Sequence, residues 1–211
     1  GGAEWLSRQI TGAVPAPGRI GLAYFSDRKG RIVTEMSVVR HSESLMTLIT
    51  AAAAQWHDFE LLQSRLPADG SLQLTDETED YSTLILCGPR SREILAAVCE
   101  ADLTRPWLTH QTSHIAGKYV NLIRVSFAGE LGWEIHAATA DIPAVHTAVS
   151  EAGAPLGLKP FGMFALDSLR IEKGYRAWKG DLSTDYTLLQ AGLERFIRWA
   201  KPHFIGKAAP L

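Results

Sequence analysis

The sequence predicts an α+β protein made of two antiparallel-sheet-plus-helix units. Two observations lead there. β-rich stretches flank a glycine turn twice, once at Asp27-Arg28-Lys29-Gly30 and again at Gly129-Glu130-Leu131-Gly132. Helical patterns follow each pair, and neither half repeats the other at a fixed period. With 211 residues, there is chain enough for two small units that each bury a core.

The elements follow in order. Residues 3–10 suit a short helix with Trp5, Leu6 and Ile10 as its apolar positions, and Pro15 and Pro17 mark a loop. Residues 19–26 and 31–40 form a β-hairpin across the Gly30 turn, and 45–50 reads as a third strand. Residues 51–66 open with four alanines and carry Trp56, Phe59, Leu62 and Leu66 at helical spacing, up to Pro67–Gly70. Leu72 and Leu74 alternate with polar residues, which predicts a fourth strand. The order α-β-β-β-α-β then suggests a ferredoxin-like plait over residues 1–77. The second unit, 78–211, starts with an apolar strand at 82–87. Pro89 suits the first position of a helix running to about Cys99. Residues 119–127 and 132–138 make the second hairpin, and 140–152 and 160–173 read as helices.

Composition narrows the functional classes. A chain that is 46% hydrophobic and 21% charged is ordinary for a globular protein. Its net charge of −2 makes no electrostatic case for nucleic acid or an anionic membrane. No apolar run is long enough to span a bilayer, and the N-terminus lacks a secretory pattern. Cys87 and Cys99, the two cysteines, fit no metal or redox spacing, so a reduced, cytosolic-type compartment is expected. The chain opens on Gly1-Gly2-Ala3 without an initiator methionine and closes on Pro210-Leu211, which reads as a piece of a longer polypeptide.

Glu35 stands out among residues able to carry chemistry. Along 31–40, Ile32, Met36 and Val38 are expected to point one way and Val33, Glu35, Ser37 and Val39 the other. Both faces are largely apolar, so the strand should be central and covered on both sides. A carboxylate there needs a partner or a cavity, and desolvation would raise its pKa toward that of a proton acceptor for an amine. Pairing with a basic residue, or reaching out at a strand edge, is the structural alternative. Glu130, between Gly129 and Leu131, is either an exposed turn carboxylate or a ligand contact. Arg124 and Glu134 are placed to pair across the hairpin. Trp133 and Trp178 suit either core packing or stacking on a flat heteroaromatic ring. Arg170 and Glu172, two apart on a helix, face different ways. His110 and His114 have helix-face metal spacing but no third ligand nearby, so no metal site is expected. There is no Gly-x-Gly-x-x-Gly, Gly-x-Ser-x-Gly or reactive-cysteine context.

Longer motifs add to this. The chain holds Arg124-Val125-Ser126-Phe127-Ala128-Gly129-Glu130-Leu131-Gly132-Trp133-Glu134, then Ser168-Leu169-Arg170-Ile171-Glu172-Lys173-Gly174-Tyr175-Arg176-Ala177-Trp178-Lys179-Gly180-Asp181. Gln190-Ala191-Gly192-Leu193 and Phe204-Ile205-Gly206-Lys207 follow. In order and spacing these resemble the folate-binding aminomethyltransferase family of the glycine-cleavage T-protein. Ala165-Leu166-Asp167 in place of Ala-Arg-Asp, with the Lys173–Asp181 signature, is similar to the dimethylglycine and sarcosine dehydrogenase branch. The resemblance implies the T-protein folate-binding fold without its C-terminal barrel domain. It implies a module that captures an iminium or formaldehyde unit on tetrahydrofolate as 5,10-methylene-tetrahydrofolate. It further implies a flavin (FAD) domain elsewhere in the same or a partner polypeptide, and a cytoplasmic or, in a eukaryote, mitochondrial-matrix setting. Glu35 falls where the family has a catalytic Asp near folate N10, and Glu130 where a Glu holds the pterin's amino-pyrimidine edge. Trp133, Arg170, Trp178 and Thr50 are the further cofactor-binding candidates. Leu22 and Thr50 replace Tyr and Asn of the T-protein. A non-catalytic folate-binding or scaffold module, and a free-standing aminomethyltransferase, are the alternative readings.

Overall fold

The computed structural model describes residues 1–209. The described chain forms two compact units, one of residues 1–76 with 176–209 and one of residues 77–175. The expected division has the single boundary 77/78, whereas here the chain from Arg176 on groups with residues 1–76. Each unit carries an antiparallel sheet with helices, so the α+β class stands.

The first unit opens with helix α1 (Gly2–Gln9), followed by strands β1 (Ile20–Ser26), β2 (Ile32–Arg40) and β3 (Met46–Ile49), and helix α2 (Gln55–Gln63). The three strands form a meander with β2 in the centre. Gly30 takes φ +75° in the β1–β2 turn, a conformation that glycine adopts without a Cβ penalty. The Asp27 carboxylate accepts from the N–H groups of Lys29 (2.8 Å) and Arg31 (2.9 Å), closing that turn. The four-alanine stretch does not begin the α-helix. Ala52–Ala54 is a single 3₁₀ turn, and α2 starts at Gln55.

The predicted fourth strand is absent: residues 71–77 have irregular backbone. The first sheet is thus a three-stranded meander and not the four-stranded sheet of a plait. The apolar signal at Leu74 has another cause, since Leu74 packs as a loop residue against the core of Leu6, Ile10, Phe25, Met36 and Leu62.

A β-bulge changes the expected faces of β2. Phe25 pairs with Thr34, but Ser26 pairs with Ile32, so one extra residue lies on the β2 side. Ile32 is thereby turned onto the Tyr24 face, where it packs with Leu182, Leu188 and Leu193. Val33 instead joins the opposite core with Phe25 and Met36. The sheet is covered on both faces, by α1 and α2 on one and by chain after residue 176 on the other.

That last stretch has little regular structure and is held by discrete ties. Thr187 bridges Arg31, and Ile32 N–H donates to Tyr186 O at 2.9 Å, extending the sheet edge at the start of β2. Arg198 N–H donates to Thr11 O (2.9 Å). The Lys201 ammonium donates to the carbonyls of Ser7, Ile10 (2.7 Å) and Gly12 (2.9 Å), where α1 ends. A cation suits carbonyls that a helix C-terminus leaves unpaired. Burial pushes the Lys201 pKa down to about 8, showing how far this ammonium is withdrawn from water.

The second unit contains β4 (Tyr81–Cys87), α3 (Ser91–Val98), β5 (His110–Ile115), β6 (Lys118–Ile123), β7 (Gly132–Ala138), α4 (Ile142–Gly153) and α5 (Met163–Glu172). Its sheet order is β4-β7-β6-β5. One face packs Leu86, Val120, Leu122, Trp133 and Ile135 against Ile94 and Leu95 of α3 and Val145 and Val149 of α4. Pro89 lies two residues before the first helical position rather than at it, because Arg90 is the N-cap and α3 starts at Ser91. β5 is the strand that sequence reading missed. His110 and His114 are four apart along it, roughly 13 Å at strand rise, and not one helix turn apart.

We expect Lys201→Met to leave carbonyls of α1 and its exit unpaired and to lower the stability to urea by about 2 kcal/mol, the scale of lost bonds to a charged donor. An unchanged urea midpoint would show that the last stretch is held by its apolar contacts alone.

Candidate functional site

In the second unit, strands β6 and β7 pair from Val120↔Ala137 to Ile123↔Glu134, and β6 ends at Ile123. The connection 124–131 is therefore a longer loop than the tight hairpin expected. Arg124 extends toward the chain before β5, its N–H donating to Thr109 O (2.9 Å) and its O accepting from Leu108 N–H (3.0 Å). The loop is latched at its other end. Leu131 O accepts from Gly88 N–H (2.8 Å) and from Ser91 Oγ (3.1 Å), tying the loop to the start of α3.

Gly129 takes φ +75° at the turn, and a Cβ built there would overlap Cγ of Lys173 and lie 2.9 Å from its Cβ. At Gly132 a Cβ would stand 3.0 Å from Leu86 O and from Cys87 Cβ. Gly129 is thus required by space as well as by conformation, and Gly132 by its close approach to β4.

Glu130 lies at a cavity of about 330 Å³ lined by Trp107, Arg124, Ser126, Leu131 and Tyr175, together with Gly129 and Gly132. That is the lower end of the range that holds small ligands. The Glu130 carboxylate is half-exposed and faces Lys173 Nζ at 3.5 Å. An exposed pair of this length is weak, so the carboxylate is free to exchange partners. Burial and then the charge of Glu130 push the Cys87 thiol pKa up. Tyr175 is stacked on Phe127 (6.3 Å between centroids, 12° between planes), which fixes its ring at the cavity wall. The Ser126 hydroxyl is buried without a hydrogen-bond partner, leaving one unused donor beside the cavity. Taken together, a carboxylate, an unused hydroxyl and two flat aromatic side chains fit a polar heteroaromatic ring.

Other predicted contacts are differently placed. Trp133 is 1% exposed, and the guanidinium carbons of Arg92 and Arg124 each lie 5.8 Å from its ring. It packs as core and offers no face to a ligand. Arg124 and Glu134 do not pair, because Arg124 lies past the end of β6 and Glu134 takes His136 at 3.0 Å. Arg170 is buried: Nε donates to Asp167 (2.6 Å) and Nη1 to Tyr175 O (2.9 Å). It braces the turn that delivers Tyr175 to the cavity.

In the first unit, Glu35 sits on the Tyr24 face of the sheet. β3 pairs with β2 only from Ser37 to Arg40, so the β2 edge at Glu35 has no β3 partner. Burial raises the Glu35 pKa above the usual carboxylate range, and a hydrogen bond from Tyr24 opposes this only in part. Trp178 packs against the same apolar cluster as Tyr24, its Nε1 buried without a partner. Thr50 turns instead to Asp58, a carboxylate that is 1% exposed. Asp58 also accepts from Thr34 Oγ1 (2.9 Å) and meets His57 Nδ1 (2.8 Å). Sequence reading passed over Asp58, Trp107 and Tyr175. For Asp58 the helical period was the available signal, since it puts this acid beside Leu62 on the buried side of α2.

The chain is an aminomethyltransferase-type α+β domain. The family model of the GCVT N-terminal domain matches residues 1–201, and the chain belongs to that family. It is 31% identical over 209 residues to mitochondrial dimethylglycine dehydrogenase of Homo sapiens, covering 97% of this chain and 24% of that one. It is 50% identical over 124 residues to mitochondrial sarcosine dehydrogenase of Mus musculus, covering 57% and 14%. The chain thus spans about a quarter or less of these relatives. The crystal structure of glycine cleavage system aminomethyltransferase T from Bartonella henselae shares the fold, with a TM-score of 0.80 at 22% identity over 97% of this chain and 56% of that one. Among the described residues no helix is long and apolar enough to cross a membrane.

Gly129→Ala should displace Lys173 and strain the turn, lowering stability by about 1–3 kcal/mol in urea denaturation. Wild-type stability would mean that the turn is free to rearrange. A second expectation concerns pH. The folded chain holds the Glu35 proton to higher pH than the unfolded chain, so this contribution is complete below the unfolded carboxyl pKa. It falls as pH rises through the window up to the folded value. Glu35→Gln should flatten that decline in the urea midpoint, and an identical pH slope in both proteins would show that Glu35 is not desolvated.

Proposed function

We propose that this chain is the tetrahydrofolate-binding one-carbon transfer module of a flavin-dependent N-methyl amine dehydrogenase or oxidase, acting with dimethylglycine- or sarcosine-like amines. The observation that carries the reading is Glu130, held at a small cavity by a turn that admits only glycine on its inner side. A carboxylate accepts two parallel hydrogen bonds from a guanidine-like edge, which the amino-pyrimidine of a pterin presents. Ser126 offers a donor to a ring acceptor, and Trp107 and Tyr175 offer flat surfaces. Lys173 releases Glu130 at little cost, the pair being half-exposed.

Tetrahydrofolate, when bound, supplies the nitrogen nucleophiles that take up the one-carbon unit. Glu35 would accept the proton released at N10. As the two folate nitrogens bond the one-carbon unit, the iminium π electrons and then the electrons of the carbon–amine bond would return to the amine nitrogen, and the amine would leave carrying both released protons. Burial raises the Glu35 pKa, which makes the carboxylate a stronger base than a solvated one. The flavin chemistry that makes the iminium belongs to another domain of the same or a partner polypeptide, in the cytoplasm or the mitochondrial matrix. Names of relatives, dimethylglycine and sarcosine dehydrogenase, support the amine class. Glu in place of the family's Asp at residue 35 favours one alternative, a module that binds folate without catalysis.

Calorimetry with folinic acid tests the binding half. Wild-type chain should bind at submillimolar concentration, and Glu130→Gln should weaken binding by about tenfold or more, as expected for a lost charge-assisted pair. Equal affinity in both proteins removes Glu130 from the site, and no heat at millimolar ligand overturns the folate reading.

A further inference from the structure

Tyr24 stands directly opposite Glu35 in the β1–β2 register, so both side chains leave the same face of the sheet. It is 3% exposed. Its ring is held against Phe196, 5.1 Å between centroids at 53°, and among Ile32, Leu188 and Leu193. Packing holds the ring in place, and a phenol hydroxyl withdrawn from water requires a partner. Its cross-strand neighbour Glu35, on the same face, is that partner. Burial, followed by the charge and hydrogen bond of Glu35, pushes the Tyr24 hydroxyl well above the ordinary phenol range, so it keeps its proton and serves as donor. The other charged groups felt at this phenol are Arg195 and Arg176, from the chain that covers this face.

We propose that Tyr24 is the positioning residue of Glu35, its hydroxyl holding the carboxylate in the orientation from which it accepts a proton. This rests on the reading of Glu35 as the proton acceptor. The bond acts in two ways. It orients the carboxylate on the stretch of β2 that β3 does not pair, and it favours the ionised, proton-accepting form against the cost of burial.

Tyr24→Phe tests this, because the ring and its packing on Phe196 are kept and only the hydroxyl is lost. Three quantities are measured on the whole chain. They are the side-chain carboxyl titration of Glu35 by carbon NMR, the pH profile of methylene-tetrahydrofolate formation from tetrahydrofolate and an iminium preformed from formaldehyde and sarcosine, and the affinity for folinic acid. In Tyr24→Phe the Glu35 titration and the rising limb of the rate profile should both move to higher pH. Turnover near neutrality should fall on the order of tenfold, with folinic acid affinity within about twofold of wild type. A structural role alone would move neither the titration nor the limb. Glu35→Gln separates the two levels. If it abolishes the enzymatic rate while Tyr24→Phe leaves titration and limb in place, the positioning role is wrong and the proton-acceptor reading stands. If Glu35→Gln keeps the wild-type rate, the proton-acceptor reading fails and the positioning role with it.

Discussion

Burial of β2 on both faces governs the first unit. A half-covered sheet would need only α1 and α2, whose side chains pack on Phe25, Met36 and Val38. The other face carries Tyr24 and Ile32, and leaving it wet would expose a second apolar surface. Chain after residue 176 supplies Leu182, Leu188 and Leu193 to cover it. That requirement makes the unit discontinuous in sequence. It also withdraws Glu35 from water and so creates the site's raised pKa. The bulge at Ile32 belongs to the same arrangement, because it hands one more apolar side chain to the face that the last stretch must seal.

In the second unit the governing feature is the anchoring of an irregular loop. Residues 124–131 leave the sheet, yet Arg124 pairs its backbone with Leu108 and Thr109, and Leu131 is latched to Gly88 and Ser91. Between these anchors Gly129 turns with positive φ against Lys173. The carboxylate of Glu130 is thus displayed by a rigid frame while the side chain stays half-exposed, an arrangement suited to meeting a ligand. Arg170 contributes indirectly by bracing the turn at Tyr175.

Local signals were read correctly where local physics decides. The Asp27–Gly30 turn and the bend at Gly129 follow from glycine's conformational freedom, and β1, β2, β4, β7, α1, α4 and α5 lie close to their expected spans. Signals failed where an apolar pattern had more than one explanation. Leu72 and Leu74 alternate like a strand, but Leu74 serves as a loop anchor on the core. His110–Ile115 lacks an apolar alternation, so β5 went unseen; it lies at the sheet edge, where pairing with β6 alone suffices. Trp133 was ambiguous between core and ligand contact, and burial decides for core.

By itself the sequence determined the α+β class, the two hairpins, the family signature from Arg124 to Lys207 and the two acids, Glu35 and Glu130, that stand out from their surroundings. Tertiary structure alone decided what those acids touch. Tyr24 meets Glu35 through strand register, Thr50 turns to Asp58, and Trp107 and Tyr175 converge on the Glu130 cavity from 23 and 45 residues away in sequence. Periodicity reports which side of one element is apolar. It carries no information about which distant segment covers that side, and that covering sets desolvation, hydrogen-bond partners and so the chemistry of the site.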